Sequence, residues 1–461
     1  MSETLPVTDP STGEVVAKLA CDDAASIAAK VERARAAQPG WFALPLEERE
    51  KCLFRFQKGL LSEREQLART LTMEMGKPIS QARAEITATG DRIQFFLDHT
   101  EEMLEDEVVH RDPAQRLEER ISWEPLGVVA NVSAWNYPYF VGSNVFVPAL
   151  LTGNSVLYKP SEFASLTGAA IVQLLHESGV PESVVVPVIG GGAVGARLLS
   201  QPLDAVFFTG SYATGRVIAR AAAERLLHVQ LELGGKDPVY VCDDAPVAKA
   251  AAAAADGAFY NAGQSCCAVE RIYVHDRILG SFVEAFLETV RGFRVGDPMR
   301  DDTYIGPVTR QAQLAVLQAQ VDDARAKGAS VLCGGTPSAG PGFFFQPTVV
   351  TQANHAMTLM REESFGPVIG IQGVRDDDEA IEHMLDTEYG LTASLYTPDR
   401  ARAERILSRL NTGSVYWNCC DRVSPRLPWS GRGHSGLGVT LSRQGIRTFT
   451  RPKAWHLKAQ D

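Results

Sequence analysis

The chain has 461 residues, of which 45% are hydrophobic and 22% charged. That length exceeds what a single hydrophobic core organises, so at least two packed units are expected. The formal charge of −11 argues against a nucleic-acid backbone as the main partner, because neutralising phosphates requires a basic face.

Residues 22–104 read as helical. "DDAASIAAKVERARAAQPGW" opens on an acidic cap and is expected to close at Pro39-Gly40. "PLEEREKCLFRFQKGLLSEREQLARTLTMEMGKP" carries apolar residues at three-and-four spacing up to a Gly-Lys-Pro stop. A further helix is expected from Ile79 to about Glu107. Residues 108–124 then alternate between apolar and polar, as an exposed strand does.

From Pro125 to Tyr158 no residue is charged, a length sufficient in principle to cross a bilayer. Scattered asparagines and the breaks at Pro138 and Pro148 point instead to a buried strand, a polar loop, a short helix and a second buried strand. No membrane partner is expected. Further strand–turn–helix units follow, with "VVVPVIG" and "AVFFTGS" as strands and "SLTGAAIVQLLHESG" and "ATGRVIARAAAERL" as helices. A second alternating series begins near Asp237 with "PVYVC", an alanine-rich helix and "RIYVH". Strands alternating with helices of this length predict parallel sheets covered on both faces, an α/β fold. The tail "RTFTRPKAWHLKAQD" alternates again. Two strand-like segments outside both sheets, at 108–124 and 448–458, predict an arm that pairs with another copy of the chain.

The eight cysteines include no C-x-x-C pair, and a long chain so poor in cysteine is not a disulfide scaffold. The opening residues lack a basic segment followed by an apolar run, so no signal peptide is expected. A reducing, cytoplasmic setting follows as the expectation.

Several segments carry groups suited to chemistry. Gly190, Gly192 and Gly195 have the spacing G-x-G-x-x-G, which is weak alone; they form either a pyrophosphate turn or a tight turn beside the adenine end of a nucleotide. "FFTGSYATG" is the stronger anion site, because a buried strand runs into Gly210 and Ser211 and a helix then begins. "HVQLELGG" places Glu232 at the end of a buried strand, where a carboxylate is costly unless paired or functional. Asn136 sits between aromatics in "SAWNYPYF", and "YKPSE" puts Lys159 and Glu162 at another strand end, where ligands of parallel sheets gather. "NAGQSCC" sets Cys266 and Cys267 behind a glycine-bearing loop. Taken alone, this pair reads either as buried structural thiols or as one activated nucleophile.

Taken together, these segments resemble the aldehyde dehydrogenase superfamily over nearly the whole chain. The resemblance rests on Gly263, Gln264, Cys266 and Arg271 in "GQSCCAVER", on Glu232 to Lys236 in "ELGGK", on Trp135 to Pro138 in "WNYP", on Glu363 to Pro367 in "ESFGP", and on "EMGKP" at 74–78. It implies a Rossmann-type cofactor domain (1–107 and 126–233), an α/β catalytic domain (234–432) and an oligomerisation arm (108–125 and 433–461), with the chain acting as a dimer or tetramer. It also implies oxidation of an aldehyde to a carboxylic acid, with Cys266 as nucleophile, Asn136 holding the oxyanion and Glu232 activating water. The implied cofactor contacts are Trp135, Lys159, Glu162, Gly210, Ser211, Glu363 and Phe365. Glu162 would accept from a free ribose 2′-hydroxyl, so NAD is expected over NADP. No metal is implied. Tyr137, Phe140, Tyr260 and Trp429 are expected to line an aromatic funnel with Trp429 at its mouth.

The chain departs from the family pattern after its last Ser-Gly-x-Gly. An Arg-Glu pair there is replaced by Val439 and Thr440, which puts a glutamate-based proton path in doubt. Arg422 and Arg426 precede Trp429 and leave open an aldehyde bearing a distal carboxylate. Two further readings compete with the enzyme assignment: a silent binding protein on the same scaffold and a cysteine hydrolase.

Overall fold

The computed structural model describes residues 3–459. Helices dominate the first hundred residues, as the periodicity predicts. The first runs Ala24–Ala43, with Asp23 accepting from the Ser26 N–H as its cap. It does not close at Pro39-Gly40 but continues through them. The buried Trp41 holds this last turn, since its indole N–H donates to the Leu150 carbonyl at 2.9 Å. The next apolar run divides into Leu46–Ser62 and Arg64–Met75. Gly76 ends the second of these in the left-handed conformation, φ 81°, at the expected Gly-Lys-Pro stop. The fourth helix spans Ile79–Leu104.

Three sheets organise the remainder, besides a small hairpin near the start. In the six-stranded sheet, the strand order is Gly436–Leu437, His228–Glu232, Ala205–Thr209, Val128–Val132, Ser155–Lys159 and Val185–Pro187. All neighbours pair in parallel except Gly436–Leu437, which runs antiparallel to His228–Glu232. The uncharged stretch supplies two central strands and the helix Pro138–Leu151 between them. Among the described residues no helix is long and apolar enough to cross a membrane.

The seven-stranded sheet is built from residues 238–417, parallel but for the edge strand Ser330–Cys333. The helix Val247–Phe259 covers it with alanines, which let helix and sheet approach closely. The third sheet joins Thr450–Lys458, Leu117–Pro125 and Glu107–Asp112, all antiparallel and outside both larger sheets.

The expected arm boundary at 433 lies too early. Gly436–Leu437 completes the free edge of the cofactor-side sheet, and Leu441, Ile446 and Phe449 are buried in that unit's core. Their apolar burial packs 433–449 against the first unit, and only the final strand joins the three-stranded sheet.

Candidate active site

Every parallel strand of the six-stranded sheet ends on one side, and the residues following those ends line one cavity of about 510 Å³. Ser133 to Asn136 follow Val128–Val132, Ser161 to Phe163 follow Ser155–Lys159, and Gly210 and Ser211 follow Ala205–Thr209. Glu232 closes its own strand. The sheet reverses its direction of growth between Val128–Val132 and Ala205–Thr209, where open parallel sheets form a ligand crevice. Gly192 and Gly195 line the same cavity, so the G-x-G-x-x-G turn and the Gly210-Ser211 turn face one space.

This lining matches what a dinucleotide requires. Ser211 caps the helix Tyr212–Ala223, whose first N–H groups and dipole favour an anion. Ser133 Oγ and Arg310 Nε are buried without partners in the cavity wall. Lys159 Nζ donates to the Pro160 carbonyl at 3.2 Å, and burial pulls its pKa down. Glu162 accepts from Ser161 Oγ at 3.2 Å. The rings of Trp135 and Phe365 meet edge to face, centroids 5.5 Å apart.

Cys266 enters the cavity from the other unit. Ahead of it, Asn261, Ala262 and Gly263 all take left-handed backbone, with φ of 53°, 55° and 71°. A side chain at Gly263 is impossible without rearrangement, because a Cβ there would stand 2.4 Å from the Gly366 carbonyl oxygen. Four hydrogen bonds pin the loop. Gln81 Oε1 accepts from Asn261 N at 2.9 Å, and Gln264 Oε1 accepts from Thr309 N at 2.9 Å. The Gln264 carbonyl accepts from Asn136 Nδ2 and from Asn261 Nδ2, each at 3.1 Å. The two cysteines thereby face different surroundings. Cys266 is half-buried and lines the cavity, whereas Cys267 is buried and donates to Asp421 Oδ1 at 3.0 Å. A hydrogen bond with Cys266, then burial, push the Cys267 thiol well above the usual range. Arg271 serves the loop from outside, its guanidinium spent on the carbonyls of Lys236, His383 and Met384.

Glu232 is buried and has no salt-bridge partner among the described residues. Burial raises its pKa, opposed by a hydrogen bond from the Thr440 hydroxyl and by the charge of Arg92. At the position that departs from the family pattern, Thr440 reaches the carboxylate directly. Glu363 accepts from the Gly235 N–H at 3.1 Å, and burial pushes its carboxyl up to about 8. The Gly-Gly turn permits this approach, since a Cβ at Gly234 would overlap the Glu363 carboxyl.

The expected aromatic funnel is only partly assembled. Tyr137 and Phe140 stack at 5.9 Å and 11°, whereas the Tyr260 ring meets Tyr304 edge to face at 6.3 Å. Trp429 is not at a mouth. Its backbone pairs with Thr440 through two hydrogen bonds, at 2.8 and 2.9 Å, and its ring is buried in the core cluster containing Cys267. Arg422 and Arg426 are exposed. Sequence reasoning missed two charged groups here, the buried Arg92 and the half-buried Asp421. Arg92 had a signal: it shares a helix face with the buried Glu85, Ile86, Thr89, Ile93 and Phe96.

Comparison with known proteins agrees with this geometry. The model of the aldehyde dehydrogenase family matches residues 1–455. A betaine aldehyde dehydrogenase of Cereibacter sphaeroides is 36% identical over 453 residues, covering 98% of this chain and 93% of the relative. A succinate-semialdehyde dehydrogenase [NADP(+)] of Deinococcus radiodurans is 35% identical over 446 residues, covering 96% and 93%. A solved point mutant of betaine aldehyde dehydrogenase from Staphylococcus aureus, in complex with NAD+, superposes with a TM-score of 0.95 at 30% identity, covering 99% of this chain and 94% of that one. With family match and fold in agreement over nearly the full length, this chain belongs to the aldehyde dehydrogenase family and is an oxidoreductase that oxidises aldehydes with a nicotinamide cofactor.

Proposed function

We propose that Cys266 is the nucleophile, Asn136 the oxyanion donor and Glu232 the hydrolytic base of an NAD-preferring aldehyde dehydrogenase that releases a free carboxylic acid. The observation that carries this reading is the meeting of Cys266, Asn136 and Glu232 on one cavity wall, although they come from distant parts of the chain. The Cys266 thiolate adds to the aldehyde carbonyl and forms a thiohemiacetal. Its oxyanion lies against the Asn136 amide, which the Gln264 carbonyl holds through one of its two N–H bonds, leaving the other to donate. A dinucleotide held by Gly210, Ser211, Lys159 and Glu162 would supply the hydride acceptor, and loss of hydride from the adduct carbon leaves a thioester on Cys266. Glu232 then takes a proton from water as it attacks the thioester carbon, and the acid leaves with Cys266 restored.

Gly210 and Ser211 are assigned to the pyrophosphate, Lys159 and Glu162 to the adenosine ribose, and Glu363, Phe365 and Trp135 to the nicotinamide side. The Glu162 carboxylate accepts from a 2′-hydroxyl and repels a 2′-phosphate, which supports NAD. Relatives named for NADP(+) keep the comparison of both cofactors informative. The Thr450–Lys458 strand is the outer edge of the arm sheet and carries exposed residues along its length, which supports pairing between copies into a dimer or tetramer. Eight free cysteines fit a reducing, cytoplasmic location.

Cys266→Ala is expected to abolish NADH formation with every aldehyde, and Asn136→Ala to lose about 2.7–4 kcal/mol of barrier lowering, roughly 10²–10³ in kcat. Steady-state absorbance assays on the two variants check both. The ratio of kcat/KM for NAD over NADP is expected above one, and Glu162→Gln is expected to lower it. Because the Thr440 hydroxyl favours ionised Glu232, Thr440→Val raises the pKa of that carboxyl further. The acidic limb of kcat then moves to higher pH, whereas Thr440→Ser leaves it near the wild-type position; kcat measured across pH for the three proteins tests this.

A further inference from the structure

Resting on the proposed aldehyde chemistry, one buried charge on the helix packed against Pro138–Leu151 remains without a role. Arg92, on the Ile79–Leu104 helix, is 5% exposed. Among the described residues no carboxylate lies within salt-bridge distance of it. Its one hydrogen-bond acceptor is Asn144 Oδ1, reached from Nη1 at 2.9 Å. Its guanidinium carbon stands 3.8 Å over the Phe140 ring centroid, and the charges it interacts with at longer range are those of Glu232 and Glu85, ahead of Cys267 and Cys266. An unpaired buried guanidinium is costly, yet its free donors point into no other protein acceptor.

The neighbouring cation shows what a satisfied buried charge looks like nearby. Lys77 lies over the Tyr137 ring at 3.7 Å, but it is paired with the buried Glu85. Glu85 is committed as well, accepting from the Tyr139 and Phe140 N–H groups at the start of the Pro138–Leu151 helix, at 2.9 and 3.4 Å. Glu85 spends its oxygens on Lys77 and these N–H groups, not on Arg92. Asp421 accepts from Cys267 at 3.0 Å and from Ser265 Oγ at 3.3 Å, and burial raises its pKa. Arg92, pulled down to about 10 by burial, stays charged at neutral pH. Its charge is met at longer range by Glu232 and Glu85, and neither forms an ion pair with it.

We propose that Arg92, oriented by Asn144 and stacked on Phe140, is an anion-recognition subsite that selects aldehydes carrying a distal carboxylate. A planar guanidinium with free N–H groups binds a carboxylate through paired hydrogen bonds, in a site where water competes poorly. The same arrangement disfavours a quaternary ammonium aldehyde. The aromatic faces that would receive a ligand cation are already covered by Lys77 and Arg92, and the Arg92 charge repels it. This assignment moves carboxylate recognition from the exposed Arg422 and Arg426 to a buried group.

The test compares kcat/KM for succinic semialdehyde and for butanal, matched in chain length, in the wild type, Arg92→Met and Arg92→Lys. The wild type is expected to favour the carboxylated aldehyde at least tenfold. Arg92→Met is expected to reduce that preference by at least about 30-fold, and Arg92→Lys to restore part of it. A wild type that oxidises butanal as well as or better than the semialdehyde overturns the inference while leaving the catalytic assignment standing. An equal loss on both aldehydes in Arg92→Met also overturns it, since the residue would then act on Glu232 or on folding. Succinate offers a readout independent of turnover. It is expected to raise the melting temperature of the wild type and not of Arg92→Met; an equal rise in both contradicts the subsite, whatever the enzyme oxidises.

Discussion

The hydrogen bond from the Asn136 amide to the Gln264 carbonyl joins two units that the chain builds separately. Asn136 belongs to the turn after a cofactor-side strand, and Gln264 to the loop that carries Cys266. The loop reaches across only because three consecutive residues take left-handed backbone, a conformation that Asn261 and Ala262 adopt at a cost of about 1–2 kcal/mol each. Gln81, Thr309 and the contact of Gly263 with Gly366 share in holding it. Strain concentrated at one functional loop and fixed by its surroundings is the arrangement expected where geometry must be exact to a fraction of an ångström.

Electrostatics then separates groups of the same type. Cys266 and Cys267 are adjacent in sequence, yet one opens to the cavity and the other is bonded to Asp421 within the core. Glu232 and Glu363 share the cavity and both resist ionisation through burial, but their partners differ. Glu232 meets a hydroxyl and a distant guanidinium, whereas Glu363 meets a backbone N–H at a glycine turn. Lys77 and Arg92 each cover an aromatic ring, and only Lys77 has its acid. In each pair residue type alone leaves the roles open, and the immediate partner decides.

Much of this was legible in the sequence. The alternation of strands and helices announced parallel sheets, and the strand-end positions of Glu232, Lys159, Gly210 and Ser211 announced a crevice. Cys266 became legible through its motif neighbours rather than through its own surroundings in sequence. What escaped has a common physical cause. Pro39 was read as a stop because local propensity forbids it, yet burial of Trp41 two residues later outweighs that preference. Residues 433–449 were read with the arm because a two-residue strand carries almost no periodic signal, and only its pairing with His228–Glu232 reveals it. Trp429 was placed at a mouth from its position in a motif, but its two backbone bonds to Thr440 draw it into the core. Arg92 passed unnoticed because a charged residue in a helix normally faces water.

The division of labour between Cys266 and Glu232 is tested most directly by mixing Glu232→Gln enzyme with excess aldehyde and NAD in a stopped-flow instrument. A base that acts only on the thioester predicts one equivalent of NADH per active site in a rapid phase, followed by turnover slowed at least a hundredfold, with the acyl group on Cys266 visible by mass. Continuous NADH formation at the wild-type rate, with no acyl adduct trapped, would contradict the account.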